Sequence, residues 1–200
     1  MATFVPEFAG YIGAEGVDEN IIDLNPGIDD RYKKALQNVQ QQFELRLADE
    51  KNPSVHQDLE ILIKRCKESI HGLELEDQYL IPHHNVPQII FLGLQTLLDD
   101  RVAETRRPAA LVRLKRYAGL DKGYKPITEL AAERTAEKLS KPGLYYPSKA
   151  EIEKDLINSP YLIKGIEELF KKYSIQGYEE FYAKVKAQVE EYEEYLKKEI

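Results

Sequence analysis

Apolar residues recur along this chain at steps of three and four positions, which is the period of an amphipathic α-helix. After Pro26 this spacing predicts a helix that runs to about Glu50, with Asn25 as its N-cap. Its apolar positions are Ile28, Tyr32, Leu36, Val39, Phe43 and Leu47. Strict alternation of apolar and polar residues, the pattern of a half-buried β-strand, is nearly absent. The pattern therefore predicts an all-α protein.

A second long helix is predicted to begin with a capping box formed by Ser54 and Gln57 and to end at Gly72. Its narrow apolar stripe consists of Val55, Leu59, Leu62, Cys66, Ile70 and Leu73. Residues 74–87 are expected to be extended and irregular, because two prolines exclude a helix through them.

Prolines and capping residues divide the following part of the chain into further helices. Residues 87–98 are apolar on nearly every side of a helix, so this helix is expected at the centre of the domain. Two more helices are predicted to open at Pro108 and Pro126. Another follows the capping box of Ser148 and Glu151, with a bend or a new start where Ser-Pro interrupts it.

The last helix has the clearest period in the sequence. Its apolar positions are Tyr178, Tyr182, Val185, Val189, Tyr192 and Leu196. They step by four, three, four, three and four positions, which forms a heptad seam. A seam of this kind can receive a partner helix or a second copy of the chain, so these six residues are candidates for an interaction surface.

Together these segments predict an all-α array of about seven or eight mostly antiparallel helices, in a single domain over residues 1–200 and without significant sheet. A hydrophobic fraction of 42% and a charged fraction of 32% are typical of a globular chain. A single cysteine, Cys66, excludes an internal disulfide. The longest apolar stretch, residues 89–98, is too short to span a bilayer, and the N-terminus lacks the basic residues of a signal peptide. A cytoplasmic protein of bacterial type is therefore expected.

The charged residues are unevenly spread. A net charge of −7 argues against nucleic acid as a partner. Residues 1–30 hold seven acidic side chains and no basic one, whereas residues 101–125 hold eight basic side chains. The two regions either complement each other or are separately solvated. Alternatively, Arg106 and Arg107 bind a small anion or phosphate, since guanidinium groups match the geometry of carboxylates and phosphates.

The sequence contains no complete catalytic or metal-binding motif that we recognise, so no catalytic residue and no metal ligand is predicted. Nucleophile-elbow, phosphate-loop and His-Glu-x-x-His patterns are absent. His83 and His84 form the only histidine cluster, but adjacent side chains of an extended segment point in opposite directions and cannot easily share one metal. Tyr145 and Tyr146 follow a turn, where they either line a ligand cleft or belong to a packed loop.

Several stretches of the chain resemble one protein family. Phe-Val-Pro-Glu-Phe-Ala-Gly-Tyr-Ile-Gly at residues 4–13, followed by Ile-Asp-Leu-Asn-Pro at 22–26, is similar to the start of proteins in domain-of-unknown-function family 885. Residues 58–63 and 113–119, and the long helices after Pro147, also resemble the helical front half of that family. The similarity spans most of the chain.

The resemblance implies a large helical architecture similar to zinc metallopeptidases, whose catalytic His-Glu-x-x-Pro-Gly-His segment lies in the back half. This sequence has no such segment, so zinc is implied only for a full-length relative and no cofactor is expected here. The leading hypothesis is that the chain is the N-terminal helical portion of a peptidase-like protein. It would form one wall of a cleft that a C-terminal catalytic half completes, and it would be inactive alone. The end of the seam at Ile200, without a cap, fits this hypothesis. The alternative is a free-standing helical interaction module whose partner binds the last helix.

Overall fold

A computed structural model describes residues 3–199, except for the side chains of Tyr11 and Glu199. Within this range the chain forms eight α-helices, one short 3-10 turn and a single isolated bridge, without any sheet. The helices are α1 Pro6–Tyr11, α2 Ile28–Asp49, α3 Pro53–Tyr79, α4 Val86–Gln95, α5 Ala109–Tyr117, α6 Ile127–Leu139, α7 Lys149–Lys172 and α8 Glu179–Glu199. The prediction of an all-α, multi-helix array is confirmed.

The two long helices α2 and α3 pack mainly against each other. Their fully buried positions are Leu36 on α2 and Leu59, Ile63 and Cys66 on α3. Leu62, which the sequence placed in the apolar stripe of α3, is largely exposed. The buried stripe runs through Ile63 instead, because only one face of a helix can meet a single neighbour.

The first turns of α2 and α3 are capped differently from the sequence prediction. Gly27 precedes α2 in a left-handed conformation, with a φ of 72°, and the Asn25 side chain donates to Asp23 instead of capping the helix. At the start of α3 the Asn52 side chain accepts the N–H of Ser54 at 3.0 Å, so Asn52 is the cap and Ser54 is already helical. The observed N-cap of α2 therefore lies two residues after the predicted one, and the observed N-cap of α3 lies two residues before the predicted one.

Helix α3 continues past Gly72 to Tyr79, so the predicted end at Gly72 was wrong. A glycine inside a helix costs only about 1 kcal/mol, which packing along a helix of this length can offset. Of the segment 74–87 that was expected to be extended, only residues 80–85 lie outside a helix. The chain is extended at Leu80, and Pro82 disfavours the α conformation of Ile81, the residue directly before it.

Helix α4 lies at the centre of the array, as its apolar sequence predicted, and packs against α1, α5, α6 and α7. Val86, Ile90 and Leu94 of this helix have no exposed surface. Helix α7, the main neighbour of α4, continues through Pro160, where a bend or a new start was predicted. Buried residues lie on both sides of this proline, so packing of both halves offsets its cost of about 3 kcal/mol.

Candidate functional site

The acidic N-terminal segment and the basic segment contact each other, which is one of the two arrangements that the charge pattern allowed. Arg106 donates from Nε and Nη2 to the two carboxylate oxygens of Asp18, at 2.8 and 2.7 Å, and from Nη2 to the carbonyl of Gly10. The Arg106 hydrogen bond holds the pKa of Asp18 below its usual value, although burial opposes this effect. Arg116 donates to the carbonyl of Glu19 at 2.7 Å.

The second guanidinium of the predicted anion site turns away from the first. Arg107 lies over the ring of Tyr173, 4.8 Å from its centroid, and donates to Glu104 and to the carbonyl of Val102. The structure therefore directs Arg106 to the N-terminal segment and Arg107 to the end of α7. Both are engaged inside the protein, and anion binding by either of them stays a prediction.

Beside this interface lies a buried polar cluster that the sequence analysis did not detect. Glu7 accepts through Oε1 from the Tyr117 hydroxyl at 2.6 Å and from the backbone N–H of Ile22 at 2.8 Å. Arg113, which is fully buried, donates to the carbonyls of Gly93 and Val17. Burial raises the pKa of Tyr117 well above its usual value, and the Glu7 carboxylate adds to the effect. The cluster anchors the N-terminal segment on α4 and α5.

The predicted interaction seam of α8 forms part of the chain's own core. Tyr178, Val185, Val189, Tyr192 and Leu196 are buried, and Tyr182 is partly buried against the same cluster. Helix α8 packs against α5, α6 and α7. The seam is therefore not an exposed surface in this fold, because its apolar side chains already have partners within the chain. The three-four spacing correctly predicted the apolar face of α8. The interpretation of this face as an interaction surface is corrected, because it packs against other helices of the chain.

A cleft of about 560 Å³ opens on another side of the molecule. Its lining includes residues 22–24 and the start of α2, together with residues 145–148. The end of α3, the loop 80–84 and the end of α6 also contribute to it. The loop is fixed to α6 by the Thr135 hydroxyl, which donates to the carbonyl of Pro82 at 2.9 Å. The cleft thus brings together parts of the chain that range from residue 4 to residue 151.

Two basic side chains of α6 are buried in the wall of this cleft. Arg134 pairs with Asp29 through Nη2 and with Glu137 through Nη1, and Lys138 pairs with Asp77 at 3.0 Å. The side chains of Arg134 and Lys138 are only 5% and 7% exposed. Arginine and lysine are almost never this deeply buried unless they are paired.

The acidic partners of these cations are much more exposed. Asp29 is 44% exposed and Asp77 is 64% exposed. The hydrogen bond from Lys138 lowers the pKa of Asp77, so this carboxylate is ionised at neutral pH. A carboxylate with this much solvent keeps its hydration when it turns away, but the cation that it leaves is buried, so the carboxylate is exchanged only for another anion. The site therefore has fixed positive charges and exchangeable negative ones.

Both histidines of the loop line the cleft. His83 Nε2 lies 2.9 Å from Asp155 Oδ2 on α7. His84 lines the cleft, and its burial lowers its pKa to about 4, with further lowering by the charges of Arg134 and His83. His84 is therefore neutral at neutral pH. No group of three or more possible metal ligands occurs among the residues that the structure describes.

The tyrosine pair lines the cleft, which was one of its two predicted placements. The backbone of Tyr145 forms an isolated bridge with the end of α3: its N–H donates to the carbonyl of Tyr79 at 2.7 Å, and its carbonyl accepts from Ile81 at 3.0 Å. The side chains of Tyr145 and Tyr146 are 68% and 53% exposed. The bridge therefore fixes the backbone of this wall and leaves two aromatic rings free at its rim.

Sequence reasoning missed Arg134 and Lys138. Both lie on α6 beside the apolar positions Leu130 and Ala131, and a cation on the apolar face of a helix was the available indication. Their partners Asp29 and Asp77 come from other helices, so the pairing could not be deduced from spacing.

Comparison of the chain with protein-family models, with curated proteins and with solved structures finds no match. In the described part of the chain, no helix has both the length and the apolar content needed to cross a membrane.

Proposed function

We propose that this chain is a ligand-binding protein whose cleft holds a small organic anion with an apolar body. The observation that carries the proposal is the difference in burial within the ion pairs of α6. The side chains of Arg134 and Lys138 are buried in the lining of the cleft, whereas those of their partners Asp29 and Asp77 are exposed to solvent. A ligand carboxylate or phosphate can take the place of these partners, and it would gain charge-assisted hydrogen bonds that are partly shielded from water.

The spacing of the two cations suits one anionic group. Positions 134 and 138 are four residues apart on α6, so their side chains leave the same face of the helix. The planar guanidinium can bind two oxygens at once, and the ammonium adds a third donor from one turn further on. Neutral His84, in the same lining, places no further positive charge beside them.

The remainder of the cleft suits an apolar body. Phe4 and Tyr32 pack at a centroid distance of 5.0 Å with their rings tilted by 54°, and Leu80 and Ile81 line the same cleft. Small-molecule sites in proteins are mostly apolar with a few convergent polar groups, and they commonly measure about 300–1,000 Å³. The cleft, at about 560 Å³, is of this size and combines apolar and aromatic side chains with charged ones.

Binding should be tested with two anions and one neutral compound, each of which carries a phenyl ring. We expect 3-phenylpropanoate and phenyl phosphate to bind in isothermal titration and to raise the melting temperature at constant ionic strength. The neutral 3-phenylpropanol should do neither. Equal binding of the alcohol, or no binding of either anion, would show that the cleft is not an anion site.

Matched variants locate the binding. Arg134→Gln and Lys138→Gln should each weaken binding of the anions, because each removes one fixed positive charge. Lys141→Gln is the control, since Lys141 is an exposed cation just beyond the end of the same helix. An effect of Lys141→Gln as large as that of Lys138→Gln would point to general electrostatic attraction instead. Circular dichroism establishes that each variant is folded.

The sequence-based hypotheses of a peptidase-like family and a cytoplasmic location stay predictions. If the chain is the front of a longer protein, the same cleft would be available to the ligands of that protein.

A further inference from the structure

The cleft contains more negative than positive side chains, and this limits which anions can enter it. Its described lining includes two cations, Arg134 and Lys138, against the carboxylates Asp23, Asp29, Glu76, Asp77 and Glu151. Asp23 is paired outside the cleft with Arg31 at 2.6 Å, but the other four remain. A simple anion that displaces Asp77 from Lys138 leaves a carboxylate without a partner next to the ligand, which weakens its own binding.

We infer that the ligand is a zwitterion, with an ammonium group next to its carboxylate, and that the ammonium pairs with Asp77 while the carboxylate pairs with Lys138. The inference rests on the anion site proposed above and names the class of ligand. In this arrangement four charges of alternating sign replace the two of the Lys138–Asp77 pair. The net charge of the cleft does not change, and neither protein group loses its partner.

The geometry of the pair fits an α-amino acid. Lys138 Nζ and Asp77 Oδ1 are 3.0 Å apart. The ammonium nitrogen and a carboxylate oxygen of an α-amino acid are also about 3 Å apart, as standard bond lengths require. The amino acid can therefore lie alongside the Lys138–Asp77 pair, with each of its charged groups facing the opposite charge of the protein.

The apolar walls define the side chain of this amino acid. Phe4, Tyr32, Tyr145 and Tyr146 provide aromatic surface in the lining of the cleft. Aromatic rings pack favourably against one another in stacked or edge-on arrangements. An α-amino acid with an aromatic or large aliphatic side chain is the class that fits both the charged end and the apolar walls.

Three probes that differ only in their charged groups test the inference on the unmodified protein. Phenylalanine carries both charges, 3-phenylpropanoate carries the carboxylate alone, and phenylalaninamide carries the ammonium alone. In isothermal titration at pH 7, phenylalanine should bind about fivefold more tightly than 3-phenylpropanoate, the gain expected from one partly exposed ion pair. Phenylalaninamide should bind most weakly, because it cannot use the fixed cations.

The outcomes separate this inference from the anion site itself. If phenylalanine binds no more tightly than 3-phenylpropanoate, the zwitterion inference is wrong and the anion site stands. If neither phenylalanine nor 3-phenylpropanoate binds, both the zwitterion inference and the anion site are wrong. Phenylalaninamide binding as tightly as phenylalanine would also overturn both, because the carboxylate would then contribute nothing.

A variant pair assigns the ammonium contact. Asp77→Asn should abolish the preference for phenylalanine over 3-phenylpropanoate, because the amide carries no charge. Glu74→Gln is the control, since Glu74 is another exposed carboxylate near the end of α3 and pairs with Lys33 instead of a buried cation. A preference that survives Asp77→Asn contradicts the assignment to Asp77. If Asp77→Asn does not fold, the comparison of the three probes on the unmodified chain still decides the inference.

Discussion

The hydroxyl of Tyr117 donates a hydrogen bond of 2.6 Å to the carboxylate of Glu7, and both side chains are buried. The two residues are 110 positions apart in sequence. Glu7 also accepts the backbone N–H of Ile22, so one carboxylate ties α1, the following loop and α5 together. A charged or strongly polar group in the interior is tolerated only when it has such partners.

Removal of this hydroxyl should destabilise the protein. Tyr117→Phe keeps the ring but leaves the buried Glu7 carboxylate with one donor fewer, and we expect the free energy of unfolding to fall by about 1–3 kcal/mol. Urea unfolding followed by circular dichroism measures the change. Tyr79→Phe is the control, because Tyr79 is largely exposed and should change stability little. Equal stability of Tyr117→Phe and the unmodified protein would contradict the structural role of the pair.

Gly93 is required by close packing at the same cluster. A methyl group on Gly93 would overlap the Tyr117 hydroxyl and lie 3.0 Å from Cγ of Glu7. We therefore expect Gly93→Ala to lower the melting temperature, at a cost of about 1–3 kcal/mol for overpacking. Gly72→Ala is the matched control inside α3, where nothing lies within 4 Å of the added carbon. That substitution should stabilise the helix by up to about 1 kcal/mol. Gly93→Ala should therefore lower the melting temperature, and Gly72→Ala should raise it.

The start of α3 distinguishes two possible caps. Asn52→Ala removes the side-chain oxygen that accepts the N–H of Ser54, and it should cost about 1 kcal/mol. Ser54→Ala should be nearly neutral, because Ser54 lies within the first helical turn. Chemical denaturation of both variants measures the difference. A larger loss from Ser54→Ala would favour the capping box that the sequence predicted.

The seam of α8 should respond to substitution as a core and not as a binding surface. Val185 is 1% exposed, and Val185→Asp buries a charge without a partner, so a loss of more than about 3 kcal/mol is expected. Thermal unfolding should show a large decrease or an unfolded chain. Lys186→Asp, at the neighbouring exposed position, should leave the protein folded. A folded Val185→Asp variant that has lost only self-association would restore the interpretation as an interaction surface.

His84 should make the protein sensitive to acid. Its pKa in the folded state is about 4, below the value of 6.5 for an unburied histidine, mainly because burial disfavours the charged ring. A lowered histidine pKa means that the fold favours the neutral form. The contribution of neutral His84 to the free energy of unfolding is fully present above pH 6.5 and is lost as the pH falls from 6.5 towards 4.

The size of this effect follows from the shift in pKa. The free energy of unfolding should drop by about 3 kcal/mol more in the unmodified protein than in His84→Gln over this range. Denaturation curves at a series of pH values test it. His71→Gln, at an exposed position of α3, should keep the original pH dependence. Identical pH profiles for His84→Gln and the unmodified protein would show that His84 does not carry the effect.

The class of fold and most of the helices could be predicted from the sequence alone. The three-four spacing of apolar residues is a local property, and it fixed the existence of α2, α3 and α8 and the central place of α4. The start of α6 followed from Pro126. Helix ends were less accurate, since Gly72 and Pro160 locally favour a break that packing on both sides overrides.

Only the tertiary structure decided what each apolar or charged face meets. A heptad seam has the same sequence pattern whether it binds a partner or packs against other helices of its own chain. Here α5, α6 and α7 surround α8, so the seam is part of the core. The cleft likewise depends on Asp29, Asp77, Arg134 and Lys138, which come from three helices. Periodicity describes how one helix faces its surroundings, but the pairing of distant charges depends on how separate helices come together.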